Sequence, residues 1–244
     1  MCKRLTKLGT PKGEFYRGNI MKKHNKLSVT ILVLFVVAVL GGCKKSQNFI
    51  SDTEIEEIHE ATRQREFDKI KSLLSKKPAL ANAKDSRGHS PLHVAAQNGD
   101  RKAAELLISK QAVVDLKDDS GYTPLHRAAG LGHKDVVSLL ISKGMDVNSK
   151  EKRGNTPLHF VADKATAELL IRNGADVNSK NETGQTPLYL AAVSNRKELV
   201  EFLVSSGADV NAKDNNGHTA LYQALHKYYN TEMANLLRKH GGVE

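Results

Sequence analysis

The feature that most constrains this 244-residue chain is a nine-residue motif that returns at a nearly fixed period. Residues 121–129 read Gly-Tyr-Thr-Pro-Leu-His-Arg-Ala-Ala, and related stretches occupy 88–96, 154–162, 184–192 and 217–225. The leading glycines stand 33, 33, 30 and 33 residues apart. A period of this length predicts structural units that stack on one another and bury a continuous core.

The residue types of the motif favour the start of a helix that lies in a crowded core. Thr or Ser is a good helix N-cap because its oxygen accepts a hydrogen bond from an otherwise unpaired amide. Proline fits the first helical turn, where its missing N–H costs nothing. The leucine then faces the core, and the two alanines keep the helix thin enough for close neighbours. We therefore expect a short helix at each copy.

A second apolar stretch follows each motif and ends at a glycine in most copies. Residues 136–141 and 199–204 have the spacing of one apolar helical face. Gly-Met-Asp-Val-Asn follows at 144–148, and Gly-Ala-Asp-Val-Asn occupies 174–178 and 207–211. Glycine just past the last turn suits the left-handed conformation that ends many helices. Each unit is thus predicted to be a helix, a turn, a second helix and a loop rich in Asp, Asn and Gly.

These motifs, in this order and at this period, resemble ankyrin repeats, and the resemblance covers residues 51–244. It implies an all-α solenoid of about six helix-turn-helix repeats joined by short β-hairpin-like loops. It also implies that the protein binds other proteins and is not an enzyme. The first and last repeats are atypical, as expected where one face meets water. The approximate repeat boundaries are 51–84, 85–117, 118–150, 151–180, 181–213 and 214–244.

A secretory signal pattern precedes the repeats. A short basic stretch leads into an apolar run over 27–40, which is too short for a membrane-spanning helix of about 20 residues. Residues 40–43 resemble the lipobox of bacterial lipoproteins, a family in which the cysteine is acylated and becomes the new N-terminus. We therefore expect a signal peptide over 21–42, lipidation at Cys43 and a tether over 43–50. The alternative is an uncleaved anchor, which also places the repeats on a membrane.

The basic charge of the chain is concentrated near its N-terminus. The sequence has 37 Lys and Arg against 27 Asp and Glu, a net charge of +10, and residues 1–43 hold eight of the basic and one of the acidic residues. The remainder, with 29 against 26, is near balance, which argues against a nucleic-acid partner. Residues 1–20 also precede the basic start of the signal at Met21. We expect translation to begin at Met21, so that this extension is spurious.

Two repeats depart from the pattern. In the second repeat the stretch 108–115 lacks the glycine stop. A non-glycine residue in the left-handed conformation costs about 1 kcal/mol, so we expect a locally weak joint there. The fourth repeat is three residues short, between Ala162 and Glu168. We expect a clipped turn between its helices and a second helix that starts early, at 165–167.

The repeats contain no constellation that indicates catalysis or a metal site. His93, His126 and His159 fall about 10 Å apart if one lies on each stacked helix, whereas zinc ligands converge at about 2 Å. The ankyrin resemblance assigns these histidines hydrogen bonds to loop backbone. The run from His59 misses the H-E-x-x-H motif because Arg63 stands where the second histidine is needed. Without a phosphate loop or a nucleophile motif, we expect no cofactor and no metal.

Binding residues are expected at the loop tips and on the exposed side of the first helices, which in ankyrin proteins form a concave surface. Tyr122, Arg153 and Arg87 are the strongest anchors, because Tyr and Arg dominate interface hot spots. The candidate protein-binding residues are Arg87, His89, Tyr122, Lys152, Arg153, Asn155, Gln185 and His218. A lysine also precedes each loop, and the row either meets an acidic partner or keeps this edge soluble: Lys84, Lys117, Lys150, Lys180 and Lys213.

Together these patterns predict an exported ankyrin-repeat protein that is held on a membrane of the bacterial cell envelope by a lipid on Cys43. Its partner is expected to be a protein that the sequence does not identify, because ankyrin surfaces carry no general code. Two alternatives keep the same anchor. One is an accessory lipoprotein that holds or protects a periplasmic enzyme, and the other is a host-facing surface adhesin or effector.

Overall fold

The computed structural model describes residues 49–244, which form twelve α-helices in six pairs. Residues 49–244 contain no β-strand, so the loops between pairs are hairpin-like turns and the expected all-α solenoid is confirmed. Odd numbers denote the first helix of each pair, and a 3-10 helix, Pro78–Asn82, follows the first pair. The helices are α1 (Asp52–Arg63), α2 (Phe67–Lys76), α3 (Pro91–Asn98), α4 (Arg101–Ser109), α5 (Pro124–Gly130), α6 (Lys134–Ser142), α7 (Pro157–Phe160), α8 (Lys164–Arg172), α9 (Pro187–Val193), α10 (Lys197–Ser205), α11 (Ala220–His226) and α12 (Thr231–Lys239).

The pairs stack so that like helices meet. Each odd-numbered helix packs against the next odd-numbered helix, and the even-numbered helices from α2 to α10 pack in the same way. The alanine pairs of the motif are buried, which lets these helices approach closely. Burial of each motif leucine stabilises the stack by about 1.5–3 kcal/mol. The motif leucines of the second to fifth repeats are at most 2% exposed: Leu92, Leu125, Leu158 and Leu188.

An acidic or amide side chain closes each loop tip from inside. In the third repeat Asp118 Oδ1 accepts hydrogen bonds from the amides of Ser120 at 2.8 Å and Tyr122 at 2.9 Å. Neighbouring tips are joined as well, because the amide of Asp119 donates to the carbonyl of Arg87 at 3.1 Å. These side chains are therefore engaged by local backbone. The same two-amide arrangement occurs at Asp85, Glu151, Asn181 and Asp214.

Three motif histidines tie their helices to the next repeat: His93, His126 and His159. In each ring Nε2 donates to the carbonyl of a residue in the following loop, at 2.9 Å for Tyr122 and 3.1 Å for Asn155 and Gln185. Nδ1 accepts from the amide and the hydroxyl of the N-cap Ser or Thr. One donating and one accepting nitrogen define a neutral ring. Burial lowers the pKa of all three histidines to about 4.

In the first and fifth repeats, other side-chain arrangements connect the first helix to the loop of the next repeat. His59, which the sequence analysis compared only with a metal motif, has Nε2 at 2.9 Å from the carbonyl of His89, and its other nitrogen also faces a carbonyl. Its spacing of 34 residues from His93 was the available signal. In the fifth repeat Tyr189 replaces the histidine, and its hydroxyl donates to Asp214 Oδ2 at 3.0 Å.

Asparagine and lysine side chains add further connections between repeats. Asn148 Nδ2 donates to the carbonyl of Gly174, and its Oδ1 accepts from the amide of Asp176, both at 2.9 Å. We call this pair of bonds the asparagine bracket. In the lysine row, the ammonium groups of Lys84, Lys117, Lys150 and Lys180 each donate to the carbonyl of the next lysine at 2.8–2.9 Å, a role that neither sequence interpretation included. The bracket recurs at Asn82, Asn178 and Asn211.

The joint between the second and third repeats lacks both the asparagine bracket and the glycine that ends the second helix in later repeats. Asp115 stands one period before Asn148, and a carboxylate has no N–H with which to complete the bracket. Gln111 has a φ of 65° at the place where the next three repeats have glycine. Gln111 thus adopts the left-handed backbone considered for 108–115, which costs a non-glycine residue about 1 kcal/mol or more.

The fourth repeat is shortened in its first helix and not, as expected, in its turn. Helix α7 has four residues, whereas α5 and α9 have seven each. The connection over 161–163 is as long as the one over 131–133. Helix α8 starts at Lys164 because Asp163 Oδ1 accepts from the amide of Thr166 at 2.9 Å and caps it. The missing residues therefore remove the last turn of one odd-numbered helix.

Stability should fall as the pH decreases from 6.5 to 5.5. The three motif histidines have folded-state pKa values of about 4, whereas an unfolded histidine titrates near 6.5. In this window the unfolded chain binds protons that the folded protein does not. The free energy of unfolding should therefore decrease by about 3 kcal/mol for the three together. Urea unfolding at the two pH values measures the change.

The variant His126→Gln serves as the control, because it removes one titrating ring. It should reduce the pH-dependent loss by about a third, while lowering stability at pH 7. The carboxyls of Asp85, Asp118 and Asp214 have pKa values below their usual range and titrate under more acidic conditions. Equal free energies of unfolding at pH 6.5 and 5.5 would contradict the neutral assignment of the rings.

Asp115→Asn should strengthen the joint between the second and third repeats. The new amide can donate to the carbonyl of Gly144 and accept from the amide of Asp146, the counterparts of the groups that Asn148 contacts. These exposed hydrogen bonds should raise the free energy of unfolding by about 1 kcal/mol. The reverse change, Asn148→Asp, should lower it by a similar amount. Urea unfolding tests both, and no effect in either variant would show that the bracket does not stabilise the stack.

Candidate protein-binding surface

The loop tips and the exposed sides of the odd-numbered helices form what we call the inner surface, with tips at 86–87, 119–120, 152–153, 182–183 and 215–216. Arg87, Lys152 and Arg153 lie on it with exposed side chains, as the sequence predicted for binding residues. Among residues 49–244 none of these three cations is part of a salt bridge. Their charge is therefore available to a partner.

Asn155 does not face a partner, because its side chain is turned into the protein. It is only 7% exposed, and its Nδ2 donates to Glu151 Oε1 at 2.7 Å. Its Oδ1 accepts from Asn181 Nδ2 at 2.8 Å, which joins the tips of the fourth and fifth repeats. We therefore remove Asn155 from the candidate binding residues and assign it to the connection between these repeats.

The remaining predicted residues are partly buried and belong to four different repeats: His89, Tyr122, Gln185 and His218. The His89 ring lies between two carboxylates, with Nδ1 3.2 Å from Asp85 and Nε2 3.5 Å from Asp118. His89 thus joins the second repeat to the third. Gln185 and His218 lie in the fifth and sixth repeats, so the structure does not bring them together with the group around the third repeat.

Arg127, which the sequence analysis did not select, organises the third repeat. Its Nη2 is 2.5 Å from Asp118 Oδ2, and its guanidinium carbon lies 4.5 Å from the centre of the Tyr122 ring. Burial alone would raise the pKa of Asp118, but hydrogen bonds from Arg127 and from two loop amides hold that pKa below its usual range. The carboxylate is therefore ionised, and it fixes Arg127 against one face of Tyr122.

Variation within the motif was the signal that could have revealed Arg127. The residue that directly follows the motif histidine or tyrosine differs in every repeat, whereas the residue that directly precedes that histidine or tyrosine is always leucine. A position that varies inside an otherwise fixed motif is not set by the shared core. Its occupants in successive repeats are Val94, Arg127, Phe160, Leu190 and Gln223.

Aromatic and aliphatic side chains of the third and fourth repeats line a cavity of about 320 Å³ that is open to solvent. The rings of Tyr122 and Phe160 are 5.3 Å apart between centroids, and the ring of His126 is 5.7 Å from that of Tyr122. Leu131 lies at the rim and is 54% exposed. We call this cavity the anchor pocket, and its lining includes Gln97, Tyr122, His126, Arg127, Leu131 and Phe160.

The anchor pocket is open because α7 ends early. Phe160 is the last residue of α7, so the helical turn that would cover the end of α5 is missing. Gly130 leaves additional room, since a Cβ placed there would lie 3.6 Å from Phe160 Cβ. Leu131, just after α5, therefore keeps an exposed apolar side chain on the inner surface.

A second, polar cleft of about 360 Å³ adjoins the anchor pocket. Gln97 lines both cavities, so the two are neighbours on the inner surface. Arg87 lies on the wall of the polar cleft, together with Arg63, whose guanidinium is paired with the carboxylates of Glu56 and Glu60. The inner surface from the first to the fourth repeat thus holds an apolar cavity and a polar cleft side by side.

The part of the chain that the structure describes offers neither a metal site nor a membrane-spanning helix. Residues 49–244 contain no group of three or more His, Cys, Asp or Glu side chains placed to hold a metal ion. No helix among these residues is long and apolar enough to cross a bilayer. Cys43 and the predicted signal peptide lie outside the described residues.

Comparison with protein families identifies the repeats. The family model described as ankyrin repeats, three copies, matches residues 58–151 and again residues 158–244. A search of curated proteins found no match. The two family matches span most of the chain and include the loops, the buried histidines and the anchor pocket. By its sequence and by its helical architecture, the chain belongs to the ankyrin-repeat family.

Proposed function

We propose that this protein is exported, is held on a membrane of the bacterial cell envelope by a lipid on Cys43, and binds another protein through its inner surface. Membership of the ankyrin-repeat family supports the binding role. The observation that carries the proposal is the anchor pocket. An exposed leucine, two aromatic rings and an arginine surround one cavity, and aromatic residues and arginine are enriched in interface hot spots.

The proposed tether is supported by the sequence. The apolar run over 27–40 is flanked by a basic start and by Cys43, which is the arrangement of a lipoprotein signal. A single acyl chain holds a protein on a membrane only marginally, whereas two or more give stable anchoring. The lipobox family carries several chains, so the tether would keep the repeat domain at the membrane.

A binding role fits the inner surface better than a catalytic role. The carboxylates of Asp85, Asp118 and Glu151 are used to close loops, where backbone amides hold them. The rings of His126 and His159 are buried and each bonds the next repeat. Groups that are fixed in this way position the surface and leave its exposed cations and apolar side chains to contact a partner.

Replacing Cys43 tests the anchor. Cys43→Ala should abolish incorporation of labelled palmitate and move the repeat domain from the membrane fraction to the soluble fraction, because no other lipid attachment site is proposed. Ser46→Ala, a second small substitution close to Cys43, is the matched control and should leave both properties unchanged. A Cys43→Ala protein that stays in the membrane fraction would support the uncleaved anchor instead.

Affinity capture tests the binding role. A C-terminal tag, crosslinking in cells and recovery from the membrane fraction should yield one stoichiometric protein. The double variant Tyr122→Ala, Arg153→Ala should reduce its recovery at least tenfold, because it removes one wall of the anchor pocket and a cation beside it.

The matched control is Tyr228→Ala, Arg238→Ala, which removes the same residue types from the last repeat and should capture the partner normally. Thermal unfolding of each variant confirms that the fold is kept. Equal recovery by the wild-type protein and the Tyr122, Arg153 variant would place the binding site elsewhere.

A further inference from the structure

We propose that the inner surface recognises an acidic segment of its partner that carries one central apolar side chain. The apolar side chain enters the anchor pocket, and carboxylates on both sides of it contact Arg87 on one side and Lys152 and Arg153 on the other. This inference rests on the proposed binding function and adds the chemistry of the bound segment.

The shape and lining of the anchor pocket favour one large apolar side chain. Its volume of about 320 Å³ is sufficient for one large aliphatic or aromatic side chain. Tyr122 and Phe160 offer ring surface, and Leu131 offers an aliphatic rim that is already 54% exposed. Covering this apolar area removes it from water, which favours a side chain of the same character.

Charges of opposite sign are separated at the loop tips. The carboxylates of Asp85, Asp118 and Glu151 point inward and accept hydrogen bonds from loop amides. The cations of the same loops point outward, and among residues 49–244 they have no salt-bridge partner. On the exposed tips 86–87, 119–120 and 152–153 there are three cations, Arg87, Lys152 and Arg153, and one acid, Asp119.

Cations lie on both sides of the pocket. Arg87 lines the polar cleft, which shares Gln97 with the pocket. On the other side, the tip that carries Lys152 and Arg153 is joined to the third-repeat tip beside Tyr122, because the amide of Lys152 donates to the carbonyl of Ser120 at 3.1 Å. Cations therefore flank the apolar pocket in both directions along the inner surface. An acidic segment matches this pattern, and a basic one is repelled.

The distances set the spacing of the segment. Neighbouring helices pack about 10 Å apart, so the second and fourth repeats are about 20 Å apart. An extended chain covers about 3.3 Å per residue, so about six residues span this distance. The favoured segment therefore has an apolar residue in the middle and Asp or Glu about three positions away on each side.

A display library of random nonapeptides tests this inference even while the cellular partner is unidentified. The full chain in neutral-lipid nanodiscs is the bait, and empty nanodiscs remove non-specific binders. We expect enriched peptides with a central Leu, Phe, Tyr or Trp and acidic residues on both sides. Synthetic copies should lose affinity at least tenfold between 50 and 300 mM salt, because exposed charge pairs are screened.

Variants of the protein locate the bound peptide. Leu131→Asp should weaken binding at least tenfold, and Arg87→Glu and Arg153→Glu should each weaken it three- to tenfold. Two matched controls should change affinity less than twofold: Val113→Asp, at an exposed apolar residue, and Lys143→Glu, at an exposed cation. Neither control residue lines the anchor pocket or the polar cleft.

Three outcomes would overturn this inference: enrichment of basic or uncharged peptides, no enrichment at all, or equal binding to Leu131→Asp and the wild-type protein. None of them alone removes the proposed function. If the captured cellular partner still depends on Tyr122 and Arg153, the inner surface binds a protein of other chemistry. If that capture also shows no dependence, both proposals fail.

Discussion

The neutral histidine at the start of α3, α5 and α7 is the interaction on which the stacking of the middle repeats depends. In His126 one ring nitrogen accepts from the N-cap of its own helix, and the other donates to the loop of the next repeat. A single side chain thus fixes the start of a helix and the position of the neighbouring loop. Because the ring is buried, it stays neutral, and both bonds need that single protonation state.

These buried hydrogen bonds determine how the binding surface is presented. Loops that are held by buried histidines and closed by inward carboxylates can present their arginines and lysines outward in fixed positions. The early end of α7 then opens an apolar pocket between Tyr122 and Phe160. A shortened repeat, which elsewhere would weaken the stack, is accommodated because Ala162 donates from its amide to Ala129 and Val161 accepts from Arg196.

The sequence predicted the fold well because its motifs encode local constraints. Proline, the Thr or Ser cap and the glycine stops define helix ends, the period indicates stacked units, and the resemblance of these motifs to ankyrin repeats implied the all-α solenoid. The site was predicted only in part. Arg87, Lys152 and Arg153 are exposed as expected, but Asn155 is buried because its amide reaches Glu151, and Arg127 was missed because its partner Asp118 belongs to a loop. The spacing of residues within one motif does not determine which side chains of different segments contact each other.

The most direct test of the account is site-specific photocrosslinking at the anchor pocket in living cells. Leu131 is replaced by the photoreactive amino acid benzoylphenylalanine, and Val113 by the same residue as the comparison. The account predicts one light-dependent adduct with a partner protein from position 131 and none from position 113. An adduct from position 113 with none from position 131 would contradict the assignment of the inner surface as the binding site.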